Sequence, residues 1–274
     1  MNTVGASPAV DGHILVEAGD HWAEVRYEPF DSELLGLRVG RIVTSTEPGR
    51  RELETLLERL EVEAREAGFD QLIRRVAASA FEEIWALETT GHLLMDIGVT
   101  FARRFDGPVE AMERAGVEVR PATPADIERL LETMLDVPWG SRYEADPAYD
   151  RMAVQALQAR WLRNSLEGRA DHVLVGHVDG QPAGYVTCRL IEEDGEQIGE
   201  IDLVGTVPAF RGRGVAATIV QNSLAWFSTR ISYVTVRTQA TNTIAAGVYE
   251  RSGMTLRHSD MTFRRALTEQ GGRL

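Results

Sequence analysis

The stretch VPAFRGRGVAATIV, residues 207–220, decides how the rest of the chain is read. Pro208 closes a strand-like run, and two arginines alternate with two glycines from Arg211 to Gly214. Apolar residues then recur at helical spacing: Val215, Ile219, Val220 and Leu224. Glycine lets backbone N–H groups approach a ligand that a Cβ would keep away. A helix starting there aims free N–H groups and the positive end of its dipole at the same spot. Arg211-Gly212-Arg213-Gly214-Val215-Ala216 therefore describes a candidate anion site. The turn lacks the lysine and hydroxyl of a Walker loop and the third glycine of a dinucleotide fingerprint. Taken alone, it also reads as a solvated turn with a glycine cap.

An anion site stands out because the chain as a whole repels anions. Its formal net charge is -13, and all 29 basic residues are arginine. No basic run exists that could neutralise phosphates along a duplex, which excludes nucleic acid as a partner. The absence of lysine excludes a lysine nucleophile or Schiff base. Cys188, the single cysteine, excludes an internal disulfide and a cysteine-based metal cluster, and in GYVTCRL it reads as a small buried apolar group. The six histidines have no paired metal-ligand spacing. MNTVGASPAV at the start lacks the pattern of a signal peptide, and no run of about 18 apolar residues occurs, so a cytoplasmic protein without membrane contact is expected.

With 274 residues, 43% of them hydrophobic, the chain has room for one large or two small domains. The division falls near RRFDGPVEAMERAGVEVRPATPADIERLL, where Gly107-Pro108 follows a strand-like run. Thr123-Pro124-Ala125-Asp126 then sets a cap and a proline at a helix start. The spacing predicts helices over 124–135 and 150–166 around a polar, aromatic loop at 136–148, and a hairpin turning at Asp179-Gly180. The strand QIGEIDLVGTV, a helix over 214–227, the strand SYVTVRT, a helix over 242–252 and the strand SDMTFRRAL follow. Strands and helices mixed in this order indicate an α/β or α+β domain on one sheet.

The first half echoes the second. Shifted by 162 residues, 75–103 aligns without gaps on 237–265 with eight of 29 positions identical, Gly91/Gly253 and Phe101/Phe263 among them. About two would match by chance. The differences carry the information. Asn242 faces Ala80, Tyr249 faces Leu87, and Gly214 faces Glu52. The chemistry is thus expected in the second copy, with the first a structural remnant.

Thirty-one residues past Arg211 comes NTIAAGVYERSGM. The pair of motifs resembles the GNAT superfamily of acyl-CoA-dependent N-acyltransferases, whose signature is R/Q-x-x-G-x-G/A followed by N-x-x-A-x-x-x-Y-x-x-x-G-F. Arg211, Gly214 and Ala216 match the first part. Asn242, Ala245, Tyr249 and Gly253 match the second, with Met254 in place of the aromatic residue. The likeness covers about 116–267. It implies a mixed, mostly antiparallel sheet flanked by helices at 116–270, preceded at 1–115 by a degenerate partial copy. It also implies that the turn 211–216 holds the pyrophosphate of acetyl-CoA, the cosubstrate.

Acyl transfer from a thioester needs a neutral amine, a stabilised oxyanion and a proton for the departing thiolate. Carried over from the family, Val204 and Thr206 would pair their backbone with the pantetheine arm, Tyr249 would protonate the thiolate, and Asn242 would stand at the cofactor arm. Outside the motif, Tyr249 reads as an ordinary core tyrosine. For the base, Glu200 sits where protein-acetylating relatives carry a glutamate, and Asp202 shares its face by strand alternation. A water chain or mere solvated carboxylates are the alternatives.

PFDSELLGLRVGRI (29–42), SRYEADPAYD (141–150) and WLRNSLEG (161–168) resemble the bacterial TDP-fucosamine N-acetyltransferase (WecD-like) group, which acetylates a nucleotide-linked amino sugar. Ser141, Arg142 and Tyr143 are then candidate acceptor contacts, with Arg142 facing a diphosphate or, alternatively, closing an interdomain salt bridge. The expected function is N-acetylation of a small polar amine by a monomer or homodimer. The other readings are an antibiotic amine, amino acid or protein N-terminus as acceptor, and a non-catalytic acyl-CoA sensor.

Overall fold

The computed structural model describes residues 13–45, 49–134, 137, 140–146, 148–193 and 195–268. The N-terminal stretch MNTVGASPAV and Pro147 of the acceptor loop lie outside them. In chain order the elements begin β1 (Ile14–Ala18), β2 (His21–Tyr27), α1 (Pro29–Leu35), β3 (Val39–Thr44) and α2 (Arg50–Glu66). Next come β4 (Gln71–Ala77), α3 (Phe81–Thr89), β5 (Leu93–Arg104), β6 (Glu118–Pro121), α4 (Pro124–Met134), α5 (Arg142–Ala145) and α6 (Arg151–Asn164). The chain continues through β7 (His172–Val178), β8 (Gln181–Glu193), β9 (Glu196–Thr206), α7 (Val215–Ser228), β10 (Tyr233–Gln239), α8 (Thr243–Arg251) and β11 (Thr255–Ala266). The helices and strands expected between 124 and 267 are all present, and the hairpin turns where expected, with Asp179 and Gly180 both at positive φ.

These elements form two compact units, and the chain crosses between them more than once. One unit comprises Met1–Gly98, Gly140–Leu157 and Ser259–Leu274; the other, Val99–Trp139 and Gln158–His258. In the first, β1, β2 and β3 pair antiparallel in sequence, β3 runs parallel to β4, and β11 lies antiparallel on β4 from Asp260↔Ala77 to Ala266↔Gln71. Leu53, Leu56, Leu57, Leu60 and Ala64 of α2 recur every three or four residues and bury one stripe on this sheet, against Val25, Ile42, Leu72 and Phe263.

The second unit orders its strands β5-β10-β9-β8-β7-β6, with β10 parallel to β9 and β9 through β6 antiparallel. Both faces of this sheet are covered. On one, Ile219, Leu224 and Phe227 of α7 and Val248 and Tyr249 of α8 meet Phe101, Val186, Ile201 and Val236. On the other, Ile127, Leu130 and Met134 of α4 and Leu162 of α6 meet Val175, Tyr185 and Val207. Gly184 lets α7 lie close: a Cβ there would come within 2.9 Å of Val215 Cγ1 and 2.7 Å of the Gly205 carbonyl.

The repeat in the sequence is a repeat in the structure. The 162-residue offset carries β3 onto the last six residues of β9, and β4, α3 and β5 onto β10, α8 and β11, end for end. Gly91 and Gly253 share a left-handed conformation, φ +79° and +76°. The strand expected at 259–267 runs over Thr255–Ala266, and from Ser259 it belongs to the first unit. Reciprocally, Val99–Arg104 of β5, first-copy sequence, belongs to the second.

Candidate functional site

The site starts from a flaw in β9. Opposite β8, Thr187 faces Leu203 and Cys188 faces Ile201, which leaves Asp202 without a cross-strand partner. This is a β-bulge, a local insertion that kinks one strand and ends regular pairing. On the other edge, the parallel ladder with β10 spans Val234–Val236 against Gly199–Ile201 and stops at the bulge. The N–H of Leu203 donates to Thr187 Oγ1 at 2.9 Å, and that of Val207 to the Ala183 carbonyl at 2.9 Å. Residues of an antiparallel strand alternate in the edge their backbone groups address. Val204 and Thr206 therefore turn N–H and C=O away from β8, toward the edge the β10 ladder has left. These are the two positions singled out for pantetheine.

The bulge also changes which side chains share a face. Strict alternation would align Glu200, Asp202 and Val204. Instead Leu203 packs on the α4 side and Val204, like Ile201, on the α7 side.

β9 runs into the turn through a short 3-10 segment, Pro208–Phe210, with Phe210 N–H on the Val207 carbonyl at 2.9 Å. Gly212 (φ +77°) and Gly214 (φ +82°) are both left-handed, and Gly214 is the N-cap of α7. Their N–H groups meet no backbone acceptor among the described residues. The first N–H groups of α7, on Val215 and Ala216, have no intrahelical acceptor either. Arg211 is exposed and ion-pairs with no carboxylate among the described residues. Arg213 reaches Asp179 at 3.5 Å and covers the Phe210 ring at 5.6 Å. A Cβ on Gly214 would meet the Arg114 guanidinium, with Nε at 2.6 Å. A left-handed turn, unsatisfied N–H groups and cations fit a diphosphate.

Tyr249 lies on α8, 4% exposed, its ring 5.8 Å from that of Phe101. Burial raises its pKa, so the phenol is protonated at neutral pH and is able to donate. Asn242 has a defined local job: its side chain accepts the Ala245 N–H at 3.2 Å as N-cap of α8, and its Nδ2 donates to Thr238 Oγ1 at 3.2 Å. Glu200 pairs with its cross-strand neighbour Arg189 at 2.8 Å. Its pKa is raised, by burial first and then by the negative charge of Asp202. Asp202 itself has Arg169 at 3.6 Å.

Ser141, Arg142 and Tyr143 sit in the first unit, at the start of α5. Tyr143 is 1% exposed; its hydroxyl donates to Asp31 Oδ2 at 2.6 Å and accepts from Arg142, whose own distance to Asp31 is 4.0 Å. The Ser141 N–H donates to Glu144 Oε2 at 2.9 Å. Arg142 and Asp31 belong to the same unit. Sequence reasoning missed the bulge at Asp202 and the approach of Arg114 to Gly214, neither of which has a motif.

Residues 131–254 match the model of the acetyltransferase (GNAT) family. The spore coat polysaccharide biosynthesis protein SpsD of Bacillus subtilis is 34% identical over 143 residues, 52% of this chain and 48% of that protein. This chain thus spans about half the length of that curated relative. A GCN5-related N-acetyltransferase from Sphaerobacter thermophilus superposes with a TM-score of 0.64 at 19% identity, over 94% of this chain and 81% of that one. A tandem GNAT protein from the clavulanic acid biosynthesis pathway gives 0.61 at 13% identity, over 95% and 85%. At such identities the likeness establishes the fold. Among the described residues no helix is long and apolar enough to cross a membrane.

Proposed function

We propose that this chain, whose residues 131–254 match the model of the acetyltransferase (GNAT) family, transfers an acetyl group from acetyl-CoA to a primary amine of a small polar acceptor, a nucleotide-linked amino sugar. The observation that carries the donor half is the opened edge of β9. Val204 and Thr206 point unpaired backbone groups along the path that ends at the Gly212–Gly214 turn and the N-terminus of α7. An extended thioester arm is held by the strand edge, and its phosphates by the turn with Arg211 and Arg213. Among the described residues the first copy has no equivalent: Gly49, the N-cap of α2, is in ordinary extended conformation at φ -63°.

In the reaction the amine nitrogen attacks the thioester carbonyl, the C–S bond breaks, and an N–H of the strand edge stabilises the oxyanion. Glu200 or Asp202, directly or through water, takes the amine proton, and Tyr249 gives its proton to the leaving sulfur. The raised pKa of Glu200 brings that carboxylate toward the range where a general base works. Two carboxylates on one strand also attract a cationic amine before it loses its proton. Support for a sugar acceptor comes from the spore coat polysaccharide biosynthesis protein among its relatives and from the WecD-like stretches. A cytoplasmic location and a monomeric or dimeric state belong to the same proposal.

The test is mass spectrometry of mixtures containing acetyl-CoA and a panel of nucleotide amino sugars, aminoglycosides, amino acids and peptides. Acetylated nucleotide sugar is the expected product, and Gly214→Glu should remove it. Product from peptides or aminoglycosides alone would replace the acceptor class. Binding of CoA without any product would favour the sensor reading.

A further inference from the structure

The segment between β5 and β6 runs beside α7 from its last turn to its first. The Val109 N–H donates to Ser228 Oγ at 2.8 Å, Gln221 Nε2 donates to the Glu110 carbonyl at 3.2 Å, and Asn222 Nδ2 donates to the Met112 carbonyl at 3.0 Å. A tight turn, with Val117 N–H on the Arg114 carbonyl at 3.0 Å, ends the run at the N-cap. Arg114 is exposed there, its guanidinium lies against Gly214, and it ion-pairs with no carboxylate among the described residues. Polar side chains of α7 thus fix a surface segment in which Arg114 brings a cation to the N-terminal end of the helix.

We infer that Arg114 is a phosphate-binding residue for the acyl donor, brought by this strap to the pyrophosphate beside Arg211 and Arg213. The inference rests on the proposed use of the turn as the donor's phosphate site. It assigns a contact outside both sequence motifs. A guanidinium presents paired N–H donors to phosphate oxygens, a geometry that an ammonium lacks. Gln221 and Asn222 are positioning residues, acting through the strap.

Calorimetric titration of the full chain with CoA and with dephospho-CoA tests this. Arg114→Ala should weaken both ligands by about tenfold, Arg114→Lys by less, with unchanged thermal unfolding because the side chain is exposed. A Gln221→Ala/Asn222→Ala pair should weaken CoA in wild-type background and have little further effect in Arg114→Ala, the signature of action through Arg114. If Arg114→Ala binds CoA within twofold of wild type while Arg211→Ala and Gly214→Glu lose it, Arg114 is not a contact and the donor site stands. If none of the three variants alters binding, the turn itself is not the phosphate site. A loss confined to CoA and absent with dephospho-CoA would move Arg114 to the ribose 3′-phosphate and overturn the pyrophosphate assignment.

Discussion

Ala80 and Asn242 cap equivalent helices of the two copies with nearly the same backbone angles, φ -84°, ψ 66° and φ -84°, ψ 65°, yet only Asn242 supplies a side chain to the helix. Asn242 accepts the Ala245 N–H; Ala80 leaves the corresponding Glu83 N–H without a side-chain acceptor. Since the backbone is already set, the exchange is testable in both directions. Asn242→Ala should cost about 1 kcal/mol in chemical unfolding, and Ala80→Asn should gain up to about 1 kcal/mol. A neutral Ala80→Asn would show that the shared angles do not suffice for a cap.

That pair also marks what the sequence makes legible. Glycines, a proline and helical periodicity are local signals, so the turn at 211–214, the hairpin at Asp179-Gly180 and the helices around them could be read directly. The repeat was visible because Gly91/Gly253 and Phe101/Phe263 hold equivalent places. Asp202 gives no such signal: a bulge exists only relative to the partner strand, and β9 alternates normally on paper. Loyalty to a unit is equally invisible. Arg142 and Tyr143 follow α4 in sequence but pair with Asp31, and β11 ends the second copy while Asp260–Ala266 pairs with β4. Arg114 looks like any surface arginine until the strap is traced.

His92, in the first unit, gives the stability a pH dependence. Its ring is buried between Thr90, at 3.0 Å from Nδ1, Glu61, at 3.9 Å, and Arg265. Burial, with Arg265 adding to it, pushes its pKa from 6.5 down to about 3. Between those values the unfolded chain binds a proton that the folded chain refuses, so stability falls as pH drops below about 6.5. Glu61, its pKa raised by burial, binds its proton more readily when folded and opposes this trend. His92→Gln should flatten the dependence of unfolding free energy on pH between 6.5 and 4, by up to about 1.4 kcal/mol per pH unit. Identical slopes in the two proteins would mean that His92 accepts a proton in the folded state.

The carboxylates of β9 separate by the same logic applied to rate. With Glu200 as base, Glu200→Gln should lower kcat/KM by about 10²-fold or more. Asp202→Asn should move the acid limb of the kcat/KM profile to lower pH, because the like charge that raises the Glu200 pKa is gone. If neither substitution moves the limb, the amine loses its proton through water.

Tyr249→Phe tests the central claim most directly, because it removes one hydroxyl from a ring that Phe101 and the surrounding core hold in place. Single-turnover acetylation, CoA titration and thermal unfolding should be measured on the same preparation. Acetyl transfer should fall by about 10²- to 10⁴-fold, with CoA affinity and stability close to wild type. Transfer within about threefold of wild type, with the chemical step rate-limiting, would contradict the assignment of Tyr249 as the proton donor to the leaving thiolate.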